Sequence, residues 1–221
     1  MTRQLEIVCT SLRDAVDAQH GGANRIELCA RLSVGGLTPS TTLLRKVKST
    51  VQIPVFVLIR PRGGDFCYTA TEFTRLLRQI AAAKAHGADG IVCGALFPNG
   101  HLDVERTAQM VAAAHPLPFT FHRAFDRCLD PLAAIDRLAE LGVERILTSG
   151  QCPTALEGIG NLKAYAKYAA GRLTILVGGG VRPGNLEALM QVDGLREFHS
   201  SGRDGKGRSI RKAVRAMAGA L

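Results

Sequence analysis

A glycine followed at once by a short apolar run recurs four times along the chain, at Gly22-Ala23-Asn24-Arg25-Ile26, Gly87-Ala88-Asp89-Gly90-Ile91, Gly142-Val143-Glu144-Arg145-Ile146 and Gly194-Leu195-Arg196-Glu197-Phe198. Each phrase closes a predicted helix. The residue just past a helix often takes a left-handed conformation that penalises any side chain with a Cβ, so glycine marks the helix end. The apolar run after it is too short for another helix and reads as a strand. Three more runs lie between these phrases, from Ile53-Pro54-Val55 to Ile59, from Leu117-Pro118-Phe119 to His122 and from Leu173-Thr174-Ile175 to Val177; with the opening run Leu5 to Cys9 they make eight. Eight short strands alternating with helices predict parallel pairing through crossover connections, and the α/β architecture that uses them is a TIM-type (β/α)8 barrel. We read residues 1–221 as one such domain. An open doubly wound sheet is the competing arrangement, but no linker, low-complexity segment or shift of composition divides the chain.

A hydrophobic fraction of 46% supports a sizeable core with both faces of each strand buried. No stretch approaches the roughly 20 apolar residues of a membrane helix, and Met1-Thr2-Arg3-Gln4 runs straight into a strand, so the expectation is a cytoplasmic protein with no membrane partner. The six cysteines are scattered without a Cys-x-x-Cys, which argues against a structural zinc site or a disulfide framework. The net charge of +9 invites a nucleic-acid partner, yet much of the excess sits at Arg203, Lys206, Arg208, Arg211, Lys212 and Arg215, a pattern that a solvated helix face explains. With no Trp and 5% aromatics, no nucleic-acid partner is expected.

Functional groups of this architecture lie at the carboxyl ends of the strands. Three constellations stand there. Gly178-Gly179-Gly180 ends strand seven before a helix opening near Pro183, and His199-Ser200-Ser201-Gly202 ends strand eight. Glycines let backbone N–H groups approach an anion at a helix N-terminus, so Gly179, Gly180, Ser200 and Ser201 are candidates for binding a phosphorylated or otherwise anionic ligand; two tight turns are the plainer alternative. The stretch lies too late in the chain to be a dinucleotide fingerprint, and no organic cofactor is expected. Strand alternation then points Glu6, Glu27, Arg60, His122, Glu197 and His199 to the barrel interior, with Arg62, Asp65, Arg123 and Asp126 on the loops above. That grouping suits an anion clamp of Arg60, Arg62, Arg123 and His199, a general base at Glu27 or His122, and Asp65 or Asp126 as its partner. A salt-bridged core, such as Glu27 with Arg60, would use the same residues differently. Third, Cys9 and Cys29 end the first two strands, about 4.8 Å apart by strand spacing, where thiolates could share a soft ion such as Cu(I). Alternation turns Cys9 outward if Glu6 points inward, and buried small hydrophobes are the other reading of both.

Arg25-Ile26-Glu27-Leu28-Cys29, Gly35-Gly36-Leu37-Thr38-Pro39-Ser40, Ile59-Arg60-Pro61-Arg62-Gly63-Gly64-Asp65-Phe66, Thr120-Phe121-His122-Arg123-Ala124-Phe125-Asp126, Leu147-Thr148-Ser149-Gly150 and His199-Ser200-Ser201 together closely resemble the CutC family. The resemblance runs from Leu5 to about Gly202. It implies a cytoplasmic (β/α)8 barrel, commonly a homo-oligomer (dimer or tetramer), linked to copper homeostasis, with Cys9 and Cys29 at the positions implicated in Cu(I) binding. The chain departs from the family pattern after Ser201, where Arg203 to Arg208 makes a shorter loop before the last helix. Two functions are therefore expected in competition: a copper-handling protein with thiolates at the barrel mouth, or an enzyme acting on a small anionic substrate by acid–base chemistry.

Overall fold

The computed structural model describes residues 3–203 and 210–221. Eight parallel strands close into a barrel in chain order: β1 (Gln4–Cys9), β2 (Arg25–Leu28), β3 (Val55–Leu58), β4 (Gly90–Cys93), β5 (Phe119–Phe121), β6 (Arg145–Thr148), β7 (Thr174–Val177) and β8 (Glu197–Ser200). The helices α1 (Leu12–Gly21), α2 (Thr41–Lys48), α3 (Ala70–Ala85), α4 (Val104–Ala114), α5 (Pro131–Glu140), α6 (Ile159–Ala169), α7 (Pro183–Met190) and α8 (Ile210–Ala218) form the outer layer. The closed ring rules out the open sheet. The four glycines that opened the sequence reading all take positive φ, 96° at Gly22, 84° at Gly87, 77° at Gly142 and 87° at Gly194.

Two apolar layers hold the barrel. The larger lies between strands and helices and includes Ile7, Ile26, Phe119 and Phe198, while a smaller cluster of Val8, Cys29, Phe56, Leu58 and Val92 fills the interior. In the last helix Ile210, Val214 and Met217 are buried and Arg211, Lys212 and Arg215 are exposed, the solvated face expected of a basic amphipathic helix. Arg203 is not on that face but pairs with Asp14 at 2.8 Å, and residues 204–209, with Lys206 and Arg208, lie outside the described residues.

Below the apolar cluster, the amino-terminal end of the barrel is closed by charge. Arg25 Nε donates to Glu6 and its Nη2 to Glu197 at 2.7 Å; Glu197 in turn accepts from Arg145 Nε at 3.0 Å. Both guanidinium groups stack on Phe56, at 4.9 Å for Arg25 and 5.5 Å for Arg145. The Phe56 ring fits because β4 offers Gly90 opposite, where a Cβ would lie 2.6 Å from the ring. So the salt-bridged core exists, but the expected Glu27–Arg60 pair does not form: the partners come from Glu6, Arg25, Glu197 and Arg145, near the opposite ends of their strands. Replacing Arg25 with Ala would leave Glu6 and Glu197 buried beside one another with too little positive charge. Loss of about 3–5 kcal/mol of stability is expected, read from urea unfolding, since stranding a buried charge costs that much.

Candidate functional site

A cavity of about 640 Å³ opens at the carboxyl ends of the strands. Glu27, Arg60, His122 and His199, contributed by β2 and by the ends of β3, β5 and β8, all line it, together with Arg123, Asp126, Gly179, Gly180, Ser200 and Ser201. Thus the structure brings to one mouth most of the residues that strand alternation singled out. Phe66, Arg127 and Arg182 also line it; strand alternation does not reach them, because their loops carry no strand periodicity.

The charged groups divide into those already committed and those left open. Arg60 Nη1 donates to the carbonyls of Val34 (3.0 Å) and Gly36 (3.3 Å), and Nη2 to that of Gly64 (2.9 Å), with the guanidinium 4.8 Å above the Phe66 ring. Arg62 turns away from the mouth; its Nε donates to Glu72 at 2.6 Å and its Nη2 pairs with Asp65 at 2.8 Å. Neither Arg62 nor Asp65 lines the cavity, so the expected clamp loses Arg62 and the expected base loses Asp65 as partner. The reason is local, because Glu72 caps α3 through Thr69 and draws Arg62 to that cap. Asp126 lines the mouth but accepts from Ser149 N (3.0 Å), Ser149 Oγ (3.1 Å), Gln151 N (3.2 Å) and Arg123 Nε (2.7 Å), as well as from the Thr148 hydroxyl. It fastens the end of β6 and, among the described residues, hydrogen-bonds to neither Glu27 nor His122. The Ser200 hydroxyl is spent on the Val181 carbonyl at 2.7 Å.

What remains open is Glu27, His122 and the loop ends that follow β7 and β8. Glu27 is 5% exposed, yet among the described residues neither carboxylate oxygen has a hydrogen-bond partner, and Oε2 is fully buried. Burial pushes its pKa up to about 7, against the opposing charge of His199. His122 is not the last residue of β5 as the sequence suggested; it caps a 3-10 turn, accepting from Ala124 N at Nδ1 (3.3 Å), and its Nε2 is unpartnered. Burial, helped by the charge of Arg60, pushes its pKa down to about 3 and keeps the ring neutral. His199 Nδ1 lies 2.6 Å from Glu6 Oε1. Although burial alone would raise the Glu6 pKa, Arg25 and His199 hold it down at about 2. For His199 burial lowers the pKa, but Glu6 and Glu27 outweigh it and the net shift is upward. At the β7 turn, the amides of Gly179 and Gly180 donate to no acceptor among the described residues, nor does that of Ser201. Gly179 has φ +95°, and a Cβ there would lie 2.7 Å from Ser149 Cβ, so the turn requires glycine; the Arg123 guanidinium carbon would be 3.5 Å from that Cβ, which places the cation beside the turn.

The model of the CutC family matches residues 3–204. The human copper homeostasis protein cutC homolog is 47% identical over 98% of this chain and 80% of its own length, and a family protein CutC from Enterobacter sp. (strain 638) is 50% identical over 89% of this chain and 79% of its own. The crystal structure of the copper homeostasis protein CutC from Streptococcus agalactiae superposes with a TM-score of 0.86 at 35% identity, over 90% of this chain and 99% of that one. The chain belongs to the CutC family. In this CutC-family barrel Cys9 and Cys29 sit at adjacent backbone positions, with Cys29 N donating to Cys9 O at 3.0 Å. Their side chains join different apolar clusters, Cys9 the layer under the helices and Cys29 the interior, as strand alternation required. Burial pushes both thiols up, Cys29 to about 12. No helix of the described residues is long and apolar enough to cross a membrane.

The two glutamates give stability opposite pH dependences. Glu6 is held below its ordinary value of 4.5, so its contribution is present above that value and is lost as pH falls toward about 2. Glu27 is held above 4.5, so its contribution is present in acid and is lost as pH rises through about 7. Glu27→Gln should therefore flatten the decline in unfolding free energy between pH 4.5 and about 7, leaving the fall from His199, whose pKa is also raised, while the acid limb below pH 4.5 stays as in the parent. Urea titrations across that range check both limbs.

Proposed function

We propose that this chain acts in copper homeostasis, the role its named relatives carry, and that it acts through the barrel mouth. What supports a Cu(I) cargo is the pair Cys9 and Cys29, soft donors on neighbouring strand ends. Burial keeps both thiols protonated and in separate clusters, so taking up Cu(I) on this pair requires a side-chain rotation and the release of two protons. The Cys9→Ser, Cys29→Ser double variant is expected to lose most high-affinity Cu(I) binding, measured by chelator competition under reducing conditions, while Cys152→Ser keeps it. In the parent the affinity should rise steeply with pH. Unchanged affinity in the double variant would remove the thiols from the role.

A second reading is favoured by a specific observation, the free amides of Gly179, Gly180 and Ser201 beside the Arg123 guanidinium. We infer that the mouth takes a small anionic or phosphorylated ligand there. Glu27 and His122 both line this cavity, and each keeps one buried atom without a hydrogen-bond partner, so a carboxylate and a neutral imidazole are at hand to give and accept protons on a bound ligand. Arg123, which also bonds Asp126 (2.7 Å) and the Ser149 hydroxyl (2.9 Å), supplies the cation, and Arg60 shapes the wall by holding three loop carbonyls. Inorganic phosphate should bind the parent protein and bind Arg123→Ala at least tenfold more weakly, whereas Arg62→Ala should bind it like the parent, because Arg62 points to Glu72. Calorimetric titration distinguishes these, and equal binding by the parent and Arg123→Ala would remove the anion site.

A further inference from the structure

In the cavity floor Glu27, which the anion reading uses, meets Glu6 and His199, which neither reading uses. One ligand atom from each of Glu6, Glu27 and His199 can be chosen so that all lie within 4.8 Å of one another. Glu27 is buried with Oε2 unpartnered, a costly state for a carboxylate unless something occupies the space in front of it. His199 is hydrogen-bonded to Glu6 through Nδ1, leaving Nε2 as the free ring nitrogen. A carboxylate behind a histidine that fixes one ring nitrogen and frees the other is the arrangement that orients an imidazole toward a metal. Glu6 itself is tied on its other oxygen to Arg25.

We propose that Glu27 and His199 bind a divalent first-row cation in the floor of the mouth, with Glu6 as the orienting carboxylate. Oxygen and imidazole donors suit Zn²⁺, Mn²⁺ or Cu²⁺ and not the soft Cu(I) that thiolates would take. Glu27 and His199 both line the cavity, so an anion or water held there would complete the shell of a cation with two protein ligands. This site is separate from the cysteine pair, and it deepens the barrel-mouth reading by giving the anionic ligand a cation to meet.

The test is calorimetric titration of the chelator-stripped full-length protein with Zn²⁺, Mn²⁺ and Cu²⁺ separately, without phosphate. At least one of the three should bind at one equivalent, at least tenfold more weakly in Glu27→Gln and in His199→Asn, and unchanged in the Cys9→Ser, Cys29→Ser variant. Should the floor variants fail to fold, as judged by circular dichroism, electron paramagnetic resonance of Cu²⁺ on the parent decides: coupling to a single imidazole nitrogen with oxygen ligands supports the site. Coupling to two or more imidazoles, sulfur ligation, affinity unaffected by both floor substitutions, or binding of none of the three cations would overturn it. Phosphate binding that persists in the metal-free protein while the cation fails would refute this inference and leave the anion reading standing.

Discussion

The pairing of Arg25 with Glu6 and Glu197 is the interaction on which the rest depends. It plugs the amino-terminal end of the barrel with alternating charge from β1, β2, β6 and β8. Such a ladder is worth little as net stability compared with an apolar plug, but it fixes which carboxylates are satisfied and which are not. Glu6 is consumed from below by Arg25 and from the side by His199. Glu27, two residues further along the strand that carries Arg25, stands above the ladder and receives no partner. The unusual state of the mouth therefore begins in its floor.

The same division runs through the rim. Asp126, Ser200, Arg60 and Arg62 look like binding groups in the sequence and are mostly engaged in holding loops to strand ends. Glu27, His122 and the β7 turn look less specialised and are the ones left with unused hydrogen-bonding capacity. In a site built from eight loops, many polar residues are needed merely to terminate strands without burying bare carbonyls. The groups that face the cavity unspent are the informative ones.

The strand count, the barrel closure and the inward direction of Glu27, Arg60, His122 and His199 were legible in the sequence, because a period of two and a helix-ending glycine are both local properties. The outward turn of Cys9 relative to Cys29 followed from the same alternation. The partners were not legible. Whether Glu27 meets Arg60 or neither depends on the stagger between β2 and β3, which aligns Glu27 with Phe56 rather than with Arg60. Arg62 and Asp65 sit on a loop where alternation no longer applies, and the pull of Glu72 comes from ten residues further on. Arg25 and Arg145 could have been found, since each lies an even number of residues from an inward-facing position on its strand or in a repeated glycine phrase.

Arg60 has a mechanical side. Its guanidinium joins the carbonyls of Val34 and Gly36, which follow β2, to that of Gly64, which follows β3, and sits over the Phe66 ring. Two neighbouring loops are thereby riveted into one panel. That side of the rim cannot yield one loop at a time, so its width is a property of a single side chain, and a lysine there, with a point charge in place of a planar fork, would leave the panel in two halves.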